Sequence, residues 1–250
     1  MIAILVIGNE LLSGQVQDTN VSHMLRRFGA SGHKVGEVRI VSDGIHEIAQ
    51  ALTALSARHQ WVISTGGLGP THDDVTMAAY AEAFNQPLQT CEALVQIMRD
   101  YYGARLHDGH LRMARLPASV ELIHTDHIHW PLIKVGNCFA LPGLPEVFLL
   151  KFEALMSVLP AQPPLFYAAV DTSESESDFA AVLEDQQRLH KGVEIGSYPK
   201  GIGKGSFTRL TCKSTERSLL EACFESLSQL FKQRETLIGS ESPKRFEPSS

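Results

Sequence analysis

Short apolar segments alternate with amphipathic segments over the first 65 residues of the chain. The apolar segments, at residues 2–7, 35–41 and 60–65, are rich in β-branched residues, as buried strands are. The segments between them carry apolar residues at helical spacing. A βαβαβ order is typical of a parallel sheet with right-handed crossovers and helices on both faces. We therefore predict an α/β domain, which we place at residues 1–160.

A different pattern follows a proline-rich spacer at residues 160–164. Residues 165–239 are predicted to follow the order βαββαβ, the split βαβ motif of a small ferredoxin-like α+β domain. Within it, residues 200–206 (KGIGKGS) are typical of a flexible hairpin loop, although their lysines can also reach a phosphate. Residues 240–250 lack an apolar pattern, and we expect them to be a disordered tail.

The segment TGGLGPTHDDVT, residues 65–76, follows directly on the third predicted strand. Glycines adopt positive φ and let backbone N–H groups approach an anion, and a helix beginning near Asp73 or Asp74 would add its positive N-terminal end. The alternative is an ordinary strand-to-helix turn with Asp73 as the N-cap residue. We predict a phosphate-binding loop whose contacts come from Gly66, Gly67, Leu68, Gly69 and Thr71.

A second polar cluster, GNELLSGQVQDTN at residues 8–20, follows the first predicted strand. Glu10 is expected at the carboxyl end of this strand, where ligands bind in open α/β sheets. There it can share a divalent cation with Asp73 and Asp74, because hard cations take carboxylates together with substrate phosphates. Taken alone, Glu10 is equally well explained as an exposed acid in a first helical turn.

The predicted chemistry is a metal-assisted attack of water on a phosphoryl group. Asp74, Glu10 and Asp73 are the predicted catalytic and metal-binding residues, with Glu10 as an alternative general base. The expected cation is Mg²⁺, Mn²⁺ or Co²⁺, with K⁺ as an additional ion. His72 can meet a phosphate or carry a proton, or can simply face solvent from the turn. Further positions are Ser13 and Gly14 at the phosphate, and Asn9, Asp18, Asn20, His72, Thr76, Pro142 and Gly143 around the site.

Other metal-binding patterns are weak. His124, His127 and His129 alternate within six residues and can lie on one face of a strand, but no second dense group of ligands accompanies them. The four cysteines are scattered without CxxC spacing, which argues against a zinc site or a disulfide framework. The acids near the glycine-rich segment therefore remain the predicted ligands.

Together, these motifs resemble one known family. GNELLSGQVQDTN, TGGLGPTHDDVT and LPGLPEVFLLKF (residues 141–152) are similar to the MoaB/MogA-type molybdopterin-binding domain in its CinA-like form, over about residues 1–160. FYAAVDTSES and GVEIGSYPKGIGKGSFTRLT resemble part of the molybdopterin-binding-like (FAD hydrolase) domain of eukaryotic FAD synthase. The resemblance implies a three-layer MogA-like domain with a mostly parallel sheet, followed by the small α+β domain.

The resemblance implies two alternative functions. The family includes metal-dependent pyrophosphatases that hydrolyse FAD or ADP-ribose to AMP and the corresponding monophosphate. Other members bind or adenylylate molybdopterin, so a molybdopterin or nucleotide binding module without hydrolysis is the alternative. Asn9 stands where relatives commonly have an acid, which removes one possible metal ligand. HTDHIHWPLIKV, residues 124–135, replaces the GTAPG-like loop of CinA proteins, which favours the FAD synthase-like branch.

Composition limits the classes of molecule that this chain is expected to bind. The net charge of −6 and the lack of a basic run oppose nucleic-acid binding. The N-terminal segment has no positively charged region, and no apolar run reaches the roughly 18 residues that a membrane helix needs. We expect a cytoplasmic homo-oligomer that binds a nucleotide or pterin and has neither nucleic acid nor membrane as a partner.

Overall fold

The computed structural model describes residues 1–201, 203 and 205–246, which form two compact units. In the described parts of the chain, no helix is both long and apolar enough to cross a membrane. The two units comprise residues 1–28 with 33–160, and residues 29–32 with 161–250.

The first unit is built on a six-stranded sheet. In chain order its elements are β1 Ile2–Ile7, α1 Asn9–Leu12, α2 Asn20–Ala30, β2 Val35–Val41, α3 Ile45–Arg58, β3 Trp61–Thr65, α4 Thr76–Ala83, β4 Leu88–Thr90, α5 Glu92–Tyr102, α6 Asp108–Arg112, β5 Arg115–Pro117, β6 Glu121–Thr125, β7 Ile128–Val135, β8 Cys138–Leu141 and α7 Pro145–Val158. The strand order is β2-β1-β3-β8-β7-β6. β2, β1, β3 and β8 are parallel, whereas β7 and β6 pair antiparallel. The predicted mostly parallel α/β sheet is confirmed.

Helices cover both faces of this sheet, which explains why every residue of β1 is buried. Successive side chains of a strand point to opposite faces. Ile4 belongs to the core cluster that contains Phe28 of α2 and Phe152 of α7. Its neighbour Leu5 belongs to the cluster on the other face, together with Leu52 of α3. The layers are therefore helix, sheet and helix, as predicted.

Two local features of the first unit differ from the sequence-based expectations. β4 and β5 form a two-stranded sheet that the sequence did not predict, since each strand has only three residues and shows no apolar alternation. The three alternating histidines do not share a strand face. His124 lies in β6, His127 in the following turn and His129 in β7.

The second unit is a four-stranded antiparallel sheet with two helices. Its core contains apolar residues of both helices. Its elements are β9 Phe166–Thr172, α8 Glu176–Leu189, β10 Glu194–Lys200, β11 Phe207–Ser214, α9 Arg217–Gln233 and β12 Leu237–Arg245. The order β10-β11-β9-β12, with the chain order βαββαβ, confirms the predicted ferredoxin-like arrangement.

The predicted disordered tail is wrong over residues 240–245, because β12 extends to Arg245 and pairs with β9. Polar side chains hold this strand: Glu241 accepts a hydrogen bond from Arg209 at 2.8 Å and forms an ion pair with Lys244. An edge strand stabilised by backbone pairing and charges does not require the apolar alternation that the prediction sought. Residues 247–250, and Ile202 and Lys204 of the predicted hairpin loop, lie outside the described residues.

Candidate functional site

A cleft of about 1150 Å³ lies in the first unit, at the edge of the sheet where β1, β3 and β8 end. Ligands of open α/β folds bind at this edge. Ligand pockets usually span about 300–1,000 Å³, so the cleft can hold a dinucleotide. Its lining includes most of the predicted site residues: Glu10, Asp18, Asn20, Gly66, Gly67, Leu68, Gly69, Thr71, His72, Asp73, Asp74, Pro142 and Gly143.

The glycine loop, residues 65–76, connects β3 to α4 and forms one end of the cleft. Gly66 and Gly67 have φ values of 110° and 62°. A Cβ on Gly66 would lie 2.1 Å from the carbonyl oxygen of Ile7, and a Cβ on Gly67 would lie 2.4 Å from Thr76 Oγ1. A side chain at either position would both clash and occupy a conformation that L residues rarely adopt. The loop therefore requires glycine at both positions.

Asp74 closes the glycine loop on itself. Its Oδ1 accepts a hydrogen bond from the Gly69 amide at 2.7 Å. Its Oδ2 accepts from the amide and the hydroxyl of Thr71, at 2.8 and 2.5 Å. A carboxylate has about four acceptor positions, and three are thus used inside the loop. Asp74 shapes the loop, and the amides of Gly69 and Thr71, which were predicted to bind phosphate, already have an acceptor.

Two adjacent amides of the loop are free. The N–H of Gly66 donates to the carbonyl of Leu141 at 3.1 Å, as part of the sheet. The N–H groups of Gly67 and Leu68 donate to no acceptor within the described part of the chain, and both residues line the cleft. Successive free amides at a left-handed turn form a concave anion-binding nest. The adjacent amides of Gly67 and Leu68 are therefore available to a phosphate, and the His72 amide also has no acceptor among the described residues.

The helix after the loop begins later than predicted. α4 starts at Thr76, so Asp73 is not its N-cap residue. The Thr76 amide donates to the carbonyl of Gly67 at 3.3 Å, and Thr76 Oγ1 donates to the carbonyl of Gly66 at 2.9 Å. Thr76 is buried and lies outside the cleft lining, so it anchors the loop and does not face a ligand.

Three other polar side chains lie along the rim. Glu10, in α1, folds its carboxylate over Gly8, where an added Cβ would lie 2.5 Å from Oε1. The Glu10 carboxylate has no hydrogen-bond partner among the described residues. Asp73 and His72 are 68% and 95% exposed, with Oδ1 and Nδ1 3.9 Å apart. His72 therefore faces solvent from the turn, which was one of its two predicted positions.

The three predicted metal ligands line one cleft without forming a cluster. Within residues 1–201, 203 and 205–246, no three His, Cys, Asp or Glu side chains converge as a metal site requires. Asp74 is engaged by the loop, which leaves Glu10 and Asp73. Two carboxylates suit a hard cation that completes its coordination with substrate phosphates and water. The donor set therefore fits a cation that arrives with the substrate.

Besides Thr76, three predicted positions lie outside the cleft lining. Asn9, Ser13 and Gly14 do not appear among the described residues that line it. The backbone N–H of Asn9 donates to Asp43 Oδ2 at 2.8 Å, and the Ser13 hydroxyl donates to the carbonyl of Glu10 at 3.2 Å. The structure therefore does not place Ser13 and Gly14 with the free amides of the glycine loop.

A hydrogen-bond network forms the floor of the cleft. Asn20 Nδ2 donates to the carbonyl of Gly143 at 2.9 Å and to Thr65 Oγ1 at 3.4 Å. Thr65 Oγ1 donates to the carbonyl of Pro142 at 2.9 Å. Asp18 Oδ1 accepts from the amide of Val21 at 2.7 Å and so caps α2. Asn20, Pro142 and Gly143 thus join β3, α2 and the segment after β8, which fixes the sheet edge beneath a ligand.

The residues that line the other end of the cleft were not predicted from the sequence. Lys151 of α7 lines it, and its Nζ donates to the carbonyls of Trp130 and Pro131 at 3.0 and 2.5 Å. Burial lowers the pKa of Lys151 to about 8. A lysine within the apolar sequence FLLKF was the one available indication. Other lining residues that were not predicted include Tyr101, Tyr102, Arg112, Arg115 and Trp130.

Two family matches cover the chain. The family described as probable molybdopterin binding domain matches residues 3–161, and the family described as FAD synthase, middle domain, matches residues 164–238. The first range contains the whole cleft lining, and the second runs from β9 to the beginning of β12.

Individual relatives agree with these matches. A probable FAD synthase of Caenorhabditis elegans is 29% identical over 255 residues, covering 91% of this chain and 49% of that protein. A CinA-like protein of Citrifermentans bemidjiense is 41% identical over 156 residues, covering 58% of this chain and 36% of that protein. The chain thus spans about half the length of the FAD synthase it matches.

A solved structure extends the comparison to the fold. The protein CinA of Thermoplasma acidophilum, described as having unknown function, superposes with a TM-score of 0.56 at 29% identity, over 62% of this chain and 95% of that one. The family match over residues 3–161 includes more than half of the chain and the whole lining of the cleft. The chain therefore belongs to the probable molybdopterin binding domain family.

Proposed function

We propose that the cleft binds a dinucleotide, FAD or ADP-ribose, and that the protein hydrolyses its pyrophosphate bond with the help of a divalent cation. The products are AMP and the corresponding monophosphate. The observation that supports this proposal is the pair of adjacent amides at Gly67 and Leu68, which have no acceptor among the described residues and belong to a cleft-lining loop that Asp74 closes. Such a nest binds phosphate oxygens.

The cleft supplies the other groups that hydrolysis needs. Glu10 lines it with a carboxylate that has no partner in the described part of the chain. In the proposed step the water oxygen bonds to one phosphorus, the bridging P–O bond breaks, and the proton of the water passes to Glu10. The Gly67 and Leu68 amides stabilise the charge that develops on the phosphoryl oxygens. A bound divalent cation would neutralise phosphate charge and polarise the phosphoryl group.

The similarity to a probable FAD synthase and to the FAD synthase middle domain supports a flavin nucleotide as one candidate substrate. The second candidate function is binding of molybdopterin or a nucleotide without hydrolysis. It is favoured by one observation: the acids of the cleft do not form a metal cluster among the described residues.

The test is to incubate the purified protein with FAD, ADP-ribose or molybdopterin, each with Mg²⁺, Mn²⁺, Co²⁺ or a chelator, and to measure AMP by chromatography. Metal-dependent AMP release from FAD or ADP-ribose supports hydrolysis. Tight binding without AMP release supports the second function instead.

Glu10→Gln is the matching variant, because it removes the carboxylate and keeps the size of the side chain. We expect AMP release to fall by about 100-fold, at the lower end of what a general base contributes. Glu225→Gln, an exposed glutamate of α9 in the second unit, is the control and should match the unsubstituted protein. Full activity of Glu10→Gln would remove Glu10 from the proposed step.

A further inference from the structure

Three aromatic side chains form one wall of the cleft. This wall is largely apolar, whereas the glycine loop is polar. This aromatic wall consists of Tyr101 and Tyr102 from the end of α5 and Trp130 from β7, all of which line the cleft. The Tyr101 ring lies 5.0 Å from that of Tyr102 and 5.5 Å from that of Trp130, measured between centroids. These are ordinary distances for packed aromatic pairs. Even so, Tyr101 remains 54% exposed, so it presents a ring to a ligand.

Neighbouring groups fix the positions of these rings. Tyr102 stacks on His110 of α6 with centroids 3.9 Å apart and planes inclined by 15°. The Lys151 ammonium donates to the carbonyls of Trp130 and Pro131, which holds the beginning of β7 against α7. A preorganised wall loses little conformational freedom when a ligand binds. The wall is therefore built as a binding surface for a flat molecule.

The polar groups beside the wall are hydrogen-bond donors. Arg112 ends α6, the helix whose His110 stacks on the wall, and Arg115 begins β5. Both arginines are exposed, line the cleft and form no ion pair within the described residues. The two carbonyls nearest the wall, of Trp130 and Pro131, are already occupied by Lys151. Arginine has donors and no acceptor.

We propose that the aromatic wall, with Arg112 and Arg115, binds the isoalloxazine ring of a flavin nucleotide. The inference rests on the proposed function, since it assigns the ring end of the same substrate. A fused planar ring stacks on Tyr101, and the acceptor-rich edge of isoalloxazine, with two carbonyl oxygens, matches the arginine donors. Adenine, by contrast, has no carbonyl oxygen to accept from the two arginines. The ribose end of ADP-ribose has no aromatic ring to stack on Tyr101.

The test compares flavin and non-flavin ligands on one variant. FMN and FAD binding are followed by flavin fluorescence, which a stacked aromatic ring quenches, and AMP and ADP-ribose binding by calorimetry. Tyr101→Ala should weaken FMN and FAD binding by about tenfold, as loss of one stacking ring does, and should reduce the quenching. Its affinity for AMP and ADP-ribose should stay within about twofold of the unsubstituted protein, and Tyr101→Phe should behave as the unsubstituted protein.

Two controls separate stacking from general damage. Tyr198→Ala replaces a tyrosine of similar exposure, 48%, in β10 of the second unit, and it should leave all four ligands unaffected. The double variant Arg112→Gln with Arg115→Gln should lose FMN affinity while keeping the unfolding midpoint of the unsubstituted protein.

The outcomes also separate this inference from the proposed hydrolysis. Equal losses for FAD and ADP-ribose in Tyr101→Ala would overturn the inference, because the wall would then hold adenine. Failure of FMN to bind the unsubstituted protein would also overturn it, even if ADP-ribose were hydrolysed and the proposed function stood. If FMN binds and quenches as expected while no substrate releases AMP, the flavin site stands and the hydrolysis fails.

Discussion

The two ends of the cleft are built in different ways. The glycine loop is one continuous segment, and its shape depends on hydrogen bonds between residues at most ten positions apart, such as those from Gly69 and Thr71 to Asp74. The aromatic wall combines the end of α5 with β7 and is held by Lys151 of α7. The loop is local and polar, whereas the wall is assembled by tertiary packing. Damage to the loop should therefore abolish phosphate binding, while damage to the wall should change ligand choice.

Asp74→Asn tests the loop end most severely. An asparagine offers one acceptor oxygen and an NH₂ group where Asp74 accepts three hydrogen bonds, so at least one loop donor loses its acceptor. An unsatisfied donor costs about 1–3 kcal/mol, and we expect turnover to fall by about 100-fold or more, the loss typical when an oxyanion-binding arrangement is disrupted. AMP affinity measured in chelator should fall as well, because the loop itself loses its shape.

Asp73→Asn is the matched control, since Asp73 is next to Asp74 in the chain and its own side chain is 68% exposed. It should leave AMP affinity in chelator unchanged and raise only the cation concentration needed for turnover. Identical behaviour of the two variants would contradict the distinct role assigned to Asp74.

Gly67→Val tests the free amides directly. Valine would have to adopt the φ of 62° and would place its Cβ 2.4 Å from Thr76 Oγ1. Strain of this kind costs about 1–3 kcal/mol, and we expect AMP affinity to fall by about tenfold or more. Gly14→Val is the control, because Gly14 also has positive φ, 72°, but has nothing within 4 Å of an added Cβ and lies outside the cleft lining. Equal AMP affinity of the two variants by calorimetry would remove the nest from the proposed site.

The contrast between the ends also explains what the sequence could predict. Gly66, Gly67 and Asp74 are adjacent in the chain, so their composition alone indicated a phosphate loop. The continuous apolar run of β1 and the βαββαβ order are likewise local properties of the sequence, and both were confirmed. In contrast, Tyr101 and Trp130 carry no local pattern, since only the packing of α5 against β7 brings their rings together.

Side-chain partners were the hardest property to predict. Asp74 was assigned to a metal because its carboxylate follows a glycine-rich turn, yet three donors of its own loop reach it first. Ser13 and Gly14 were assigned to the phosphate because they belong to the polar segment after β1, but they lie outside the cleft lining of the described residues. Sequence spacing identifies the segment that meets a ligand, but the direction of each side chain depends on turns that composition does not specify.

Next to the aromatic wall, Lys151 is expected to have a smaller effect, on how the free energy of unfolding depends on pH. Its pKa of about 8 in the folded protein lies below the usual value of 10.5. Between these two values the unfolded chain binds one more proton than the folded protein, so stability rises with pH in this window. Relative to Lys151→Met, the free energy of unfolding should rise by at most about 1.4 kcal/mol per pH unit between pH 8 and 10.5. Below pH 8 the difference should be constant.

The measurement is urea unfolding followed by tryptophan fluorescence. Both tryptophans of the chain, Trp61 and Trp130, belong to the first unit and therefore report on the unit that contains Lys151. Lys191→Met, at an exposed lysine of the second unit, should show no such dependence. A pH-independent difference for Lys151→Met would mean that Lys151 keeps its ordinary pKa.

Asn9→Asp should have the smallest effect. The family resemblance suggested that an acid at this position would strengthen cation binding, because hard cations bind more tightly as carboxylate charge increases. In the structure the backbone N–H of Asn9 donates to Asp43 Oδ2, and Asn9 is exposed and absent from the described cleft lining. An exposed charge outside the cleft is screened by solvent and salt, so we expect Mg²⁺ and Mn²⁺ affinities within about twofold of the unsubstituted protein. Asp73→Asn, by comparison, should weaken both by more. Titration of the three proteins with Mn²⁺ measures these affinities directly. Clearly tighter Mn²⁺ binding by Asn9→Asp would place residue 9 of α1 among the cation ligands.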